Sequence, residues 1–241
     1  EGEVELIKKI VSNNENIIEI GSNIGTHTIP LAKHISNGGK IFSFEPQSQN
    51  YKLLMKNIFH NEIKNVTVLK IAISSKEGRA FMNKFDNEKI NNYGDAKIFE
   101  NKLENFEEVS VKTLDQLFFD KLNENFSIKL IKCDAQGQEP NVIKGSKKII
   151  EKNKPFLYVE NDDIKTSKNL IDIIKGFGYV MFWHLVPLFN PNNYLKNTKN
   201  LFPKISSINM FCVPISTKIK LHEGWKKFEI KDNNFHPLKK N

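Results

Sequence analysis

The sequence predicts an α/β protein built on a mostly parallel sheet, and three observations lead to this prediction. Short apolar runs alternate with amphipathic segments of helical period, an order typical of parallel sheets with right-handed crossovers. A glycine-containing turn, residues 21–25, joins the first apolar run to the segment that follows it. The 241 residues, 39% of them hydrophobic, suffice for one large domain with its own core.

Seven apolar runs are predicted to form the strands of this sheet. Each run is short, rich in Ile, Val, Phe or Leu, and bounded by glycine or polar residues, as buried strands are. They span residues 16–20, 40–45, 65–73, 128–133, 156–160, 179–183 and 209–213.

Amphipathic segments between these runs predict the helices. The helix that begins at Thr113 carries Gln116 three residues later, which is the spacing of a capping box. Residues 74–108 are polar and predict only a short strand near 80–83, followed by a mobile insertion. The other predicted helices span residues 1–11, 26–34, 46–59, 139–152 and 167–175.

Composition limits the partners and the compartment. The net charge of +8 comes mainly from dispersed lysines without arginine clusters, which favours a solvated surface over a nucleic-acid interface. Cys133 and Cys212 lie far apart and do not resemble a disulfide framework or a zinc site. We therefore expect a cytoplasmic protein without a membrane span, forming a single domain over 1–241. Its core is expected at about 15–215, and a basic tail, with His236 on its surface, at about 216–241.

The turn after the first predicted strand contains Gly21, Ser22, Asn23 and Gly25. Glycines there allow the backbone to approach a ligand closely, and the helix behind them offers free N–H groups. A tight strand–helix turn also uses glycine for steric reasons alone, so this pattern leaves both interpretations open. No Gly-Lys-Ser/Thr follows, which excludes a P-loop.

Glu45 ends the second predicted strand, 20 residues after Gly25. An acidic residue at that point can accept hydrogen bonds from both hydroxyls of a ribose. It also suits the N-terminus of the following helix, and the two roles are compatible. With the glycine turn, Glu45 predicts an adenosine-containing cofactor, either NAD or S-adenosylmethionine.

Charge favours S-adenosylmethionine over NAD. A dinucleotide needs a turn that admits a pyrophosphate, whereas S-adenosylmethionine brings a sulfonium and an ammonium. Glu19 and Asp134 lie at the tips of the first and fourth predicted strands. Half-buried carboxylates need partners, and a cationic ligand would supply them.

Several segments, taken in order, resemble the FkbM family of methyltransferases over roughly residues 15–215. The combination is far more specific than any single segment. The matching segments are Ile17–Gly25, Phe44–Pro46, Asn57 with Asn61, Ala72–Ser74, Thr113–Asp115, Ile131–Glu139, Val142–Gly145, Pro155 and Tyr158–Asn161.

This resemblance implies a class I methyltransferase fold, which is Rossmann-like, with a mostly parallel seven-stranded sheet and helices on both faces. Such enzymes usually methylate oxygen on sugars, glycolipids or polyketide-derived hydroxyls. The resemblance implies that the cofactor is held by Glu19, Gly21, Ser22, Asn23, Gly25, Glu45 and Ala72, with Asp134 near the sulfonium or the acceptor. Two departures are Glu19, where the family commonly has Asp, and Gln136, where it commonly has Glu.

Asp134, Glu160 and His184 are the candidate catalytic residues. Asp134, Glu160 and Asn161 could converge as magnesium ligands, but we favour a site without metal, in which the carboxylates are solvated or act as a base. His184 begins an aromatic, proline-rich stretch that extends to Tyr194. That stretch is either an acceptor-binding lid with a histidine base or a packed loop.

The predicted function is S-adenosylmethionine-dependent O-methylation of a hydroxyl on a sugar, glycan or related metabolite. The acceptor partner would be a small molecule or a glycan, and the sequence predicts no oligomeric state. An NAD-dependent or nucleotide-sugar oxidoreductase is the alternative enzyme. A cofactor-binding scaffold that has lost catalysis is the alternative that Gln136 leaves open.

Overall fold

The computed structural model describes residues 2–84, 105–118, 126–193, 195–217 and 223–239, with the backbone alone at 98–99. The helices are α1 (Gly2–Ile10), α2 (Thr28–His34), α3 (Ser48–His60), α4 (Leu114–Leu117), α5 (Glu139–Lys144), α6 (Lys147–Asn153) and α7 (Ile164–Gly176), with a 3-10 helix at Glu223–Phe228. The strands are β1 (Ile17–Ile20), β2 (Ile41–Phe44), β3 (Val66–Leu69), β4 (Ala72–Ile73), β5 (Gly78–Asn83), β6 (Ile98–Phe99), β7 (Phe106–Lys112), β8 (Leu130–Cys133), β9 (Phe156–Glu160), β10 (Tyr179–Pro187) and β11 (Ser206–Pro214).

The predicted seven-stranded sheet is confirmed, with the strand order β10-β11-β9-β8-β1-β2-β3. The pairs from β9 to β3 are all parallel, and β11 is antiparallel to both of its neighbours. Strands β1, β2 and β8 have four residues each, and every one of these residues is buried. Burial on both faces is expected for the middle of a parallel sheet.

Helices cover both faces of this sheet, as predicted. One face packs apolar residues of β1, β8 and β9 against α4, α5, α6 and α7. The other face packs Ile17, Leu130 and Phe211 against α1 and α2. Among the described residues, no helix combines the length and the apolar character that a bilayer span requires.

A second sheet of four strands, in the order β4-β7-β5-β6, was not predicted. The predicted third strand, 65–73, divides into β3 in the central sheet and β4 in this second sheet. Strand β7 alternates buried and exposed residues, so its many polar side chains gave the sequence a loop-like composition. The predicted mobile insertion falls largely on residues 85–97 and 100–104, which lie outside the described residues.

The predicted helix at 139–152 is two helices, α5 and α6, separated at Gly145. A Cβ atom on Gly145 would lie 2.0 Å from the backbone oxygen of Ser74. The backbone after β4 therefore passes so close to position 145 that only glycine fits there. The break between α5 and α6 lies at this contact.

The expected basic tail packs against the sheet over the part that the structure describes. Trp225 contacts the rings of Phe182 and Phe211, and the Ile230 N–H donates to the carbonyl of Met181 at 2.9 Å. His236, expected on the surface, is 1% exposed, and its Nε2 lies 2.8 Å from the carbonyl oxygen of Asn161. The described part of the tail is thus mostly exposed but packs against the core through Trp225, Ile230 and His236, which composition alone did not indicate.

Candidate active site

A cavity of about 860 Å³ opens where the order of the central strands reverses, between β1 and β8. Ligands of open α/β sheets bind at such a switch point, beyond the carboxyl ends of the strands. The lining residues from the sheet edge include Gly21, Ser22, Asn23, Glu45, Asp134, Gln136 and Glu160, and Ala72, Ile73 and Met82 come from the second sheet.

Gly21 lets the tip of β1 touch the tip of β8. Its φ angle is +76°, and a Cβ atom there would lie 1.7 Å from the backbone oxygen of Asp134. Asn57, on α3, donates from Nδ2 to the carbonyl of Ile24 at 2.7 Å and so fixes the rest of the turn. The turn is therefore a preformed backbone cradle, in which only glycine fits at position 21.

Glu45 is held at the tip of β2 by two backbone N–H groups. Asn23 donates to Oε2 at 2.8 Å, and Gln47 donates to Oε1 at 2.9 Å. Burial raises the pKa of Glu45 to about 7, against these hydrogen bonds, and the charge of Asp134 raises it further. The carboxylate is fixed in one orientation on the cavity wall, where a ribose would need it.

Glu19 does not line the cavity, in contrast to the direct cofactor contact that the resemblance implies. Its Oε2 accepts hydrogen bonds from Thr28 Oγ1 at 2.6 Å and Ser43 Oγ at 3.2 Å, which draw the carboxylate beneath the turn. Its other oxygen, Oε1, is buried and has no hydrogen-bond partner among the described residues.

Lys132 is a buried charge that the sequence analysis did not select. It pairs in register with Glu19 across β1 and β8, and its Nζ lies 3.5 Å from Asp134 Oδ2. Burial alone would lower the pKa of Lys132, but the carboxylates of Asp134, Glu19, Glu3 and Glu160 raise it above its usual value. The sequence does contain a signal of this buried charge, namely a lysine within the apolar run Leu130–Cys133. A buried charge requires partners, so such a lysine indicates nearby carboxylates.

Asp134 and Glu160 are brought together, as predicted for two neighbouring strand tips. Gln136 lies between them, and its Nε2 donates to Asp134 Oδ1 and to Glu160 Oε2, each at 3.1 Å. Burial raises the pKa of Glu160 well above its usual value, and the negative charges of Asp134, Asp162 and Glu139 raise it further. Glu160 therefore favours its protonated form.

This arrangement does not fit a magnesium ion. Magnesium prefers an octahedral set of oxygen ligands, whereas here an amide N–H₂ points at both carboxylates. In the described part of the chain, no three or more His, Cys, Asp or Glu side chains are grouped as a metal site.

His184 does not line this cavity, so the structure does not bring it together with Asp134 and Glu160. Strand β10 continues to Pro187, which places His184 within the strand rather than beyond its end. Its Nδ1 lies 2.8 Å from the Tyr158 hydroxyl, and its ring packs on Trp225 beside a separate cavity of about 350 Å³. Burial lowers the pKa of His184, which keeps the ring neutral.

Glu3 and His27 line the cavity. The place of His27 just after the glycine turn allows it to face either the site or the helix surface, whereas nothing in the sequence indicated Glu3. His27 Nε2 lies 3.1 Å from Glu3 Oε2, and Glu3 Oε1 accepts from Ser207 Oγ at 2.5 Å and from Asn209 Nδ2 at 3.1 Å. Glu3 lies on α1 and its partners on β11, some 204 residues later. No local spacing in the sequence could have indicated this network.

A second cavity, of about 800 Å³, adjoins the first and shares Leu188 and Phe202 with it. Asn193 Nδ2 donates to the carbonyls of Asn190 and Asn197, at 3.0 and 2.8 Å, and so folds the loop between β10 and β11. Tyr194, part of the predicted lid, lies outside the described residues. The other lining residues include Gly2, Glu5, Val186, Pro187, Phe189, Pro191, Asn192, Lys199 and Leu201.

The family model of the methyltransferase FkbM domain matches residues 19–181, more than half of the chain. The chain belongs to the FkbM methyltransferase family. The family segment contains the glycine turn, Glu45 and the Asp134–Gln136–Glu160 group, whereas α1 and β11 lie outside it. No curated protein sequence matches the chain.

Solved structures of methyltransferases share the fold. The methyltransferase FkbM from Methylobacillus flagellatus KT is 16% identical, with a TM-score of 0.52 over 83% of this chain and 44% of that protein. A precorrin-6y C5,15-methyltransferase from Geobacter metallireducens GS-15 is 12% identical, with a TM-score of 0.52 over 88% and 85%. An S-adenosylmethionine-dependent O-methyltransferase from Thermotoga maritima is 12% identical, with a TM-score of 0.50 over 91% and 67%.

These likenesses confirm the class I methyltransferase fold. The chain spans less than half the length of the Methylobacillus FkbM structure that it matches. The family model thus identifies a methyltransferase domain, and the solved structures show its fold.

Proposed function

We propose that the protein transfers a methyl group from S-adenosylmethionine to a hydroxyl oxygen of a sugar, glycan or related metabolite. The observation that carries this proposal is one continuous cavity with two distinct ends. Glu45 and the second sheet form one end, and the Asp134–Gln136–Glu160 group, with Leu188 and Phe202, forms the other.

The first end suits an adenosine. Glu45 presents a carboxylate fixed by two N–H groups, which can accept hydrogen bonds from both ribose hydroxyls. Ala72, Ile73 and Met82 offer an apolar wall for a flat base. Gly21 and Asp134 also line the cavity, between the tips of β1 and β8, where the chain that leads away from the ribose would lie.

Negative charge on the cavity wall supports S-adenosylmethionine rather than NAD. Glu3, Asp134 and Glu160 line the cavity, and the buried cation Lys132 lies next to Asp134. An acidic surface stabilises a ligand that carries a sulfonium and an ammonium, and it repels a pyrophosphate. Oε1 of Glu19 lies buried below the turn and has no hydrogen-bond partner among the described residues.

The second end suits a polar acceptor. Here the first cavity meets the second, where Asn192 and Asn197 provide amides and Phe189, Leu201 and Phe202 provide apolar surface. Amides together with aromatic rings match the alternating hydroxyl and C–H faces of a sugar ring. This combination is the support for a sugar or glycan as the methyl acceptor.

Bound S-adenosylmethionine would supply an electrophilic methyl group on its sulfonium. The protein's contribution is to hold the acceptor oxygen in line with that methyl carbon and to exclude water, and proximity of this kind accounts for much of the acceleration. Asp134 and Glu160, joined through Gln136, would orient the acceptor by hydrogen bonds. No step in this scheme passes through a metal ion.

A binding measurement tests the choice of cofactor, and a turnover measurement tests the acceptor. S-adenosylhomocysteine should raise the unfolding midpoint of the protein, because a ligand that binds the native state stabilises it, whereas NAD should leave the midpoint unchanged. Glu45→Ala, which keeps the strand but removes the carboxylate, is the matched control and should abolish most of the shift. Equal shifts with both ligands would contradict the choice of cofactor.

Incubation with S-adenosylmethionine carrying a deuterated methyl group, followed by mass spectrometry of candidate glycans, tests the acceptor. A labelled methyl ether on a sugar hydroxyl is the expected product. Binding of S-adenosylhomocysteine without label transfer to any hydroxyl compound would favour the scaffold alternative. Label on nitrogen or carbon would retain a methyltransferase but contradict O-methylation.

A further inference from the structure

Glu3 and His27 form a carboxylate–imidazole pair on the wall of the cavity, and the scheme above leaves this pair without a role. His27 follows the glycine turn of the family segment, whereas Glu3 comes from α1, outside it. The side chain of His27 is 23% exposed and that of Glu3 is 12% exposed, so both are mostly buried but still line the cavity.

The surroundings of Glu3 fix its ionisation. Burial raises its pKa, but His27, then the charge of Lys132 and the hydrogen bond from Ser207, together lower the pKa to about 2. Oε1 accepts from Ser207 and Asn209, so Oε2 faces His27 as a hydrogen-bond acceptor.

An ionised carboxylate can only accept hydrogen bonds, so the 3.1 Å contact places the ring proton of His27 on Nε2. In the neutral ring, Nδ1 then carries the lone pair. Among the described residues, none forms a hydrogen bond to Nδ1 of His27. In this arrangement the carboxylate of Glu3 orients the ring of His27 through Nε2, which leaves Nδ1 available to accept a proton.

Other titratable groups around the cavity are less suited to accept a proton. Lys132, on β8, is held as an ammonium by its carboxylate neighbours. Asp134, after β8, and Glu160, on β9, both accept hydrogen bonds from Gln136, and the raised pKa of Glu160 favours its protonated form.

We propose that His27, oriented by Glu3, is the general base that removes the proton from the acceptor hydroxyl. The inference rests on the proposed methyl transfer. As the acceptor oxygen bonds to the methyl carbon, its O–H proton passes to Nδ1 of His27, and the carbon–sulfur bond breaks with its electron pair going to sulfur. The products are a methyl ether, S-adenosylhomocysteine and an imidazolium that Glu3 stabilises, and the imidazolium proton is later released to water.

The first test needs no acceptor. Nitrogen-15 NMR of the histidine rings, in the complex with S-adenosylhomocysteine near pH 8, should show His27 with its proton on Nε2 and a free Nδ1. Glu3→Gln, which keeps the side-chain shape, should release this preference and give a mixture of tautomers. A proton on Nδ1 in the wild-type complex would overturn the proposal.

The second test uses the hydroxyl acceptor identified by label transfer. His27→Gln should lower kcat by about 10²- to 10⁴-fold, the usual contribution of a general base, and should change S-adenosylhomocysteine affinity by less than about threefold. Glu3→Gln, a change at a positioning residue, should lower kcat by a smaller factor with little change in KM. His60→Gln, on the exposed surface of α3, is the matched control and should leave kcat unchanged.

Weaker S-adenosylhomocysteine binding by His27→Gln with unchanged kcat would overturn the proposal, because the pair would then anchor the cofactor. Unchanged kcat and affinity would overturn it as well. If wild-type protein binds no S-adenosylhomocysteine, the proposed function itself fails and this inference fails with it.

Discussion

Glu45 is buried at the tip of β2 with its pKa raised to about 7, yet a ribose requires its ionised form. At pH values below about 7 a growing fraction is protonated, and one oxygen can then no longer accept a hydrogen bond. Affinity for S-adenosylhomocysteine should therefore be constant above about pH 8 and should weaken towards about tenfold per pH unit below about 7. Calorimetry across pH 5.5–8.5 measures this.

Glu45→Gln separates this effect from the titration of other groups, including Glu139, whose pKa burial also raises to about 7. The amide cannot ionise, so binding should be about ten- to a hundredfold weaker at pH 8 and flat across the range. A wild-type affinity that does not change between pH 5.5 and 8.5 would show that Glu45 is ionised throughout or does not contact the ribose.

Gly21 is the position where the backbone leaves no space for a side chain. Gly21→Ala should destabilise the protein by about 3 kcal/mol or more, because its Cβ would collide with the Asp134 carbonyl. Gly38→Ala is the matched control, since Gly38 has a φ of +99° but nothing within 4 Å of the added Cβ. It should cost only about 1 kcal/mol of backbone strain, and denaturant unfolding distinguishes the two.

Single residues were predictable where a local pattern determines them. Gly21 and Glu45 follow from their places at strand ends, and the structure puts both on the cavity wall. The local pattern failed for His184, because the sequence showed an apolar run but not how far β10 extends. It also gave no sign of the contacts of Glu3 with Ser207 and Asn209, which lie more than 200 residues further along the chain.

At the scale of elements, the residues at the ends of β8 and β9 lead us to expect methyl transfer without a metal ion. Methyl transfer should persist in excess EDTA, because Gln136 supplies an amide donor where a cation would need oxygen. Asp134→Asn keeps the shape but removes the charge and should lower turnover strongly. Loss of wild-type activity in EDTA that magnesium restores would contradict this.

Gln136→Glu is the informative counterpart, because it restores the carboxylate that the family commonly carries. Three carboxylates would then converge at one site, and magnesium should raise the unfolding midpoint of this variant while leaving that of the wild type unchanged.

The elements of the central sheet were predictable because each is an apolar run with a distinct end. The second sheet was not, since β5 and β7 bury only alternate residues and expose Glu, Lys and Arg on the other side. A strand that is buried on one face needs apolar residues at only every second position, so it does not form a continuous apolar run. In addition, the residues of β5 pair with residues of β7 about 30 positions away, which a local pattern does not indicate.

At the scale of the whole molecule, the tail from residue 223 onward contributes to stability away from the cavity. Trp225→Ala should lower the unfolding free energy by about 2 kcal/mol, since this half-buried ring packs on Phe182 and Phe211. That loss corresponds to about 4–8 °C in Tm for a chain of this size. Affinity for S-adenosylhomocysteine should not change, and a parallel loss of affinity would link the tail to the site.

Composition predicted one domain and a mainly solvated surface, but it could not place the tail, whose basic residues surround a few apolar anchors. The cytoplasmic location and the preference for a small acceptor over nucleic acid remain predictions. Both depend on partners outside this chain, so its packing cannot determine them.

The hydrogen bonds from Ser207 and Asn209 to Glu3 join α1 to β11 across more than 200 residues of sequence. Glu3 lines the cavity, so one part of the cavity wall is fixed only when α1 and β11 are both in place. The fold can therefore form most of the central sheet without β11, whereas the arrangement of Glu3 on the cavity wall depends on it.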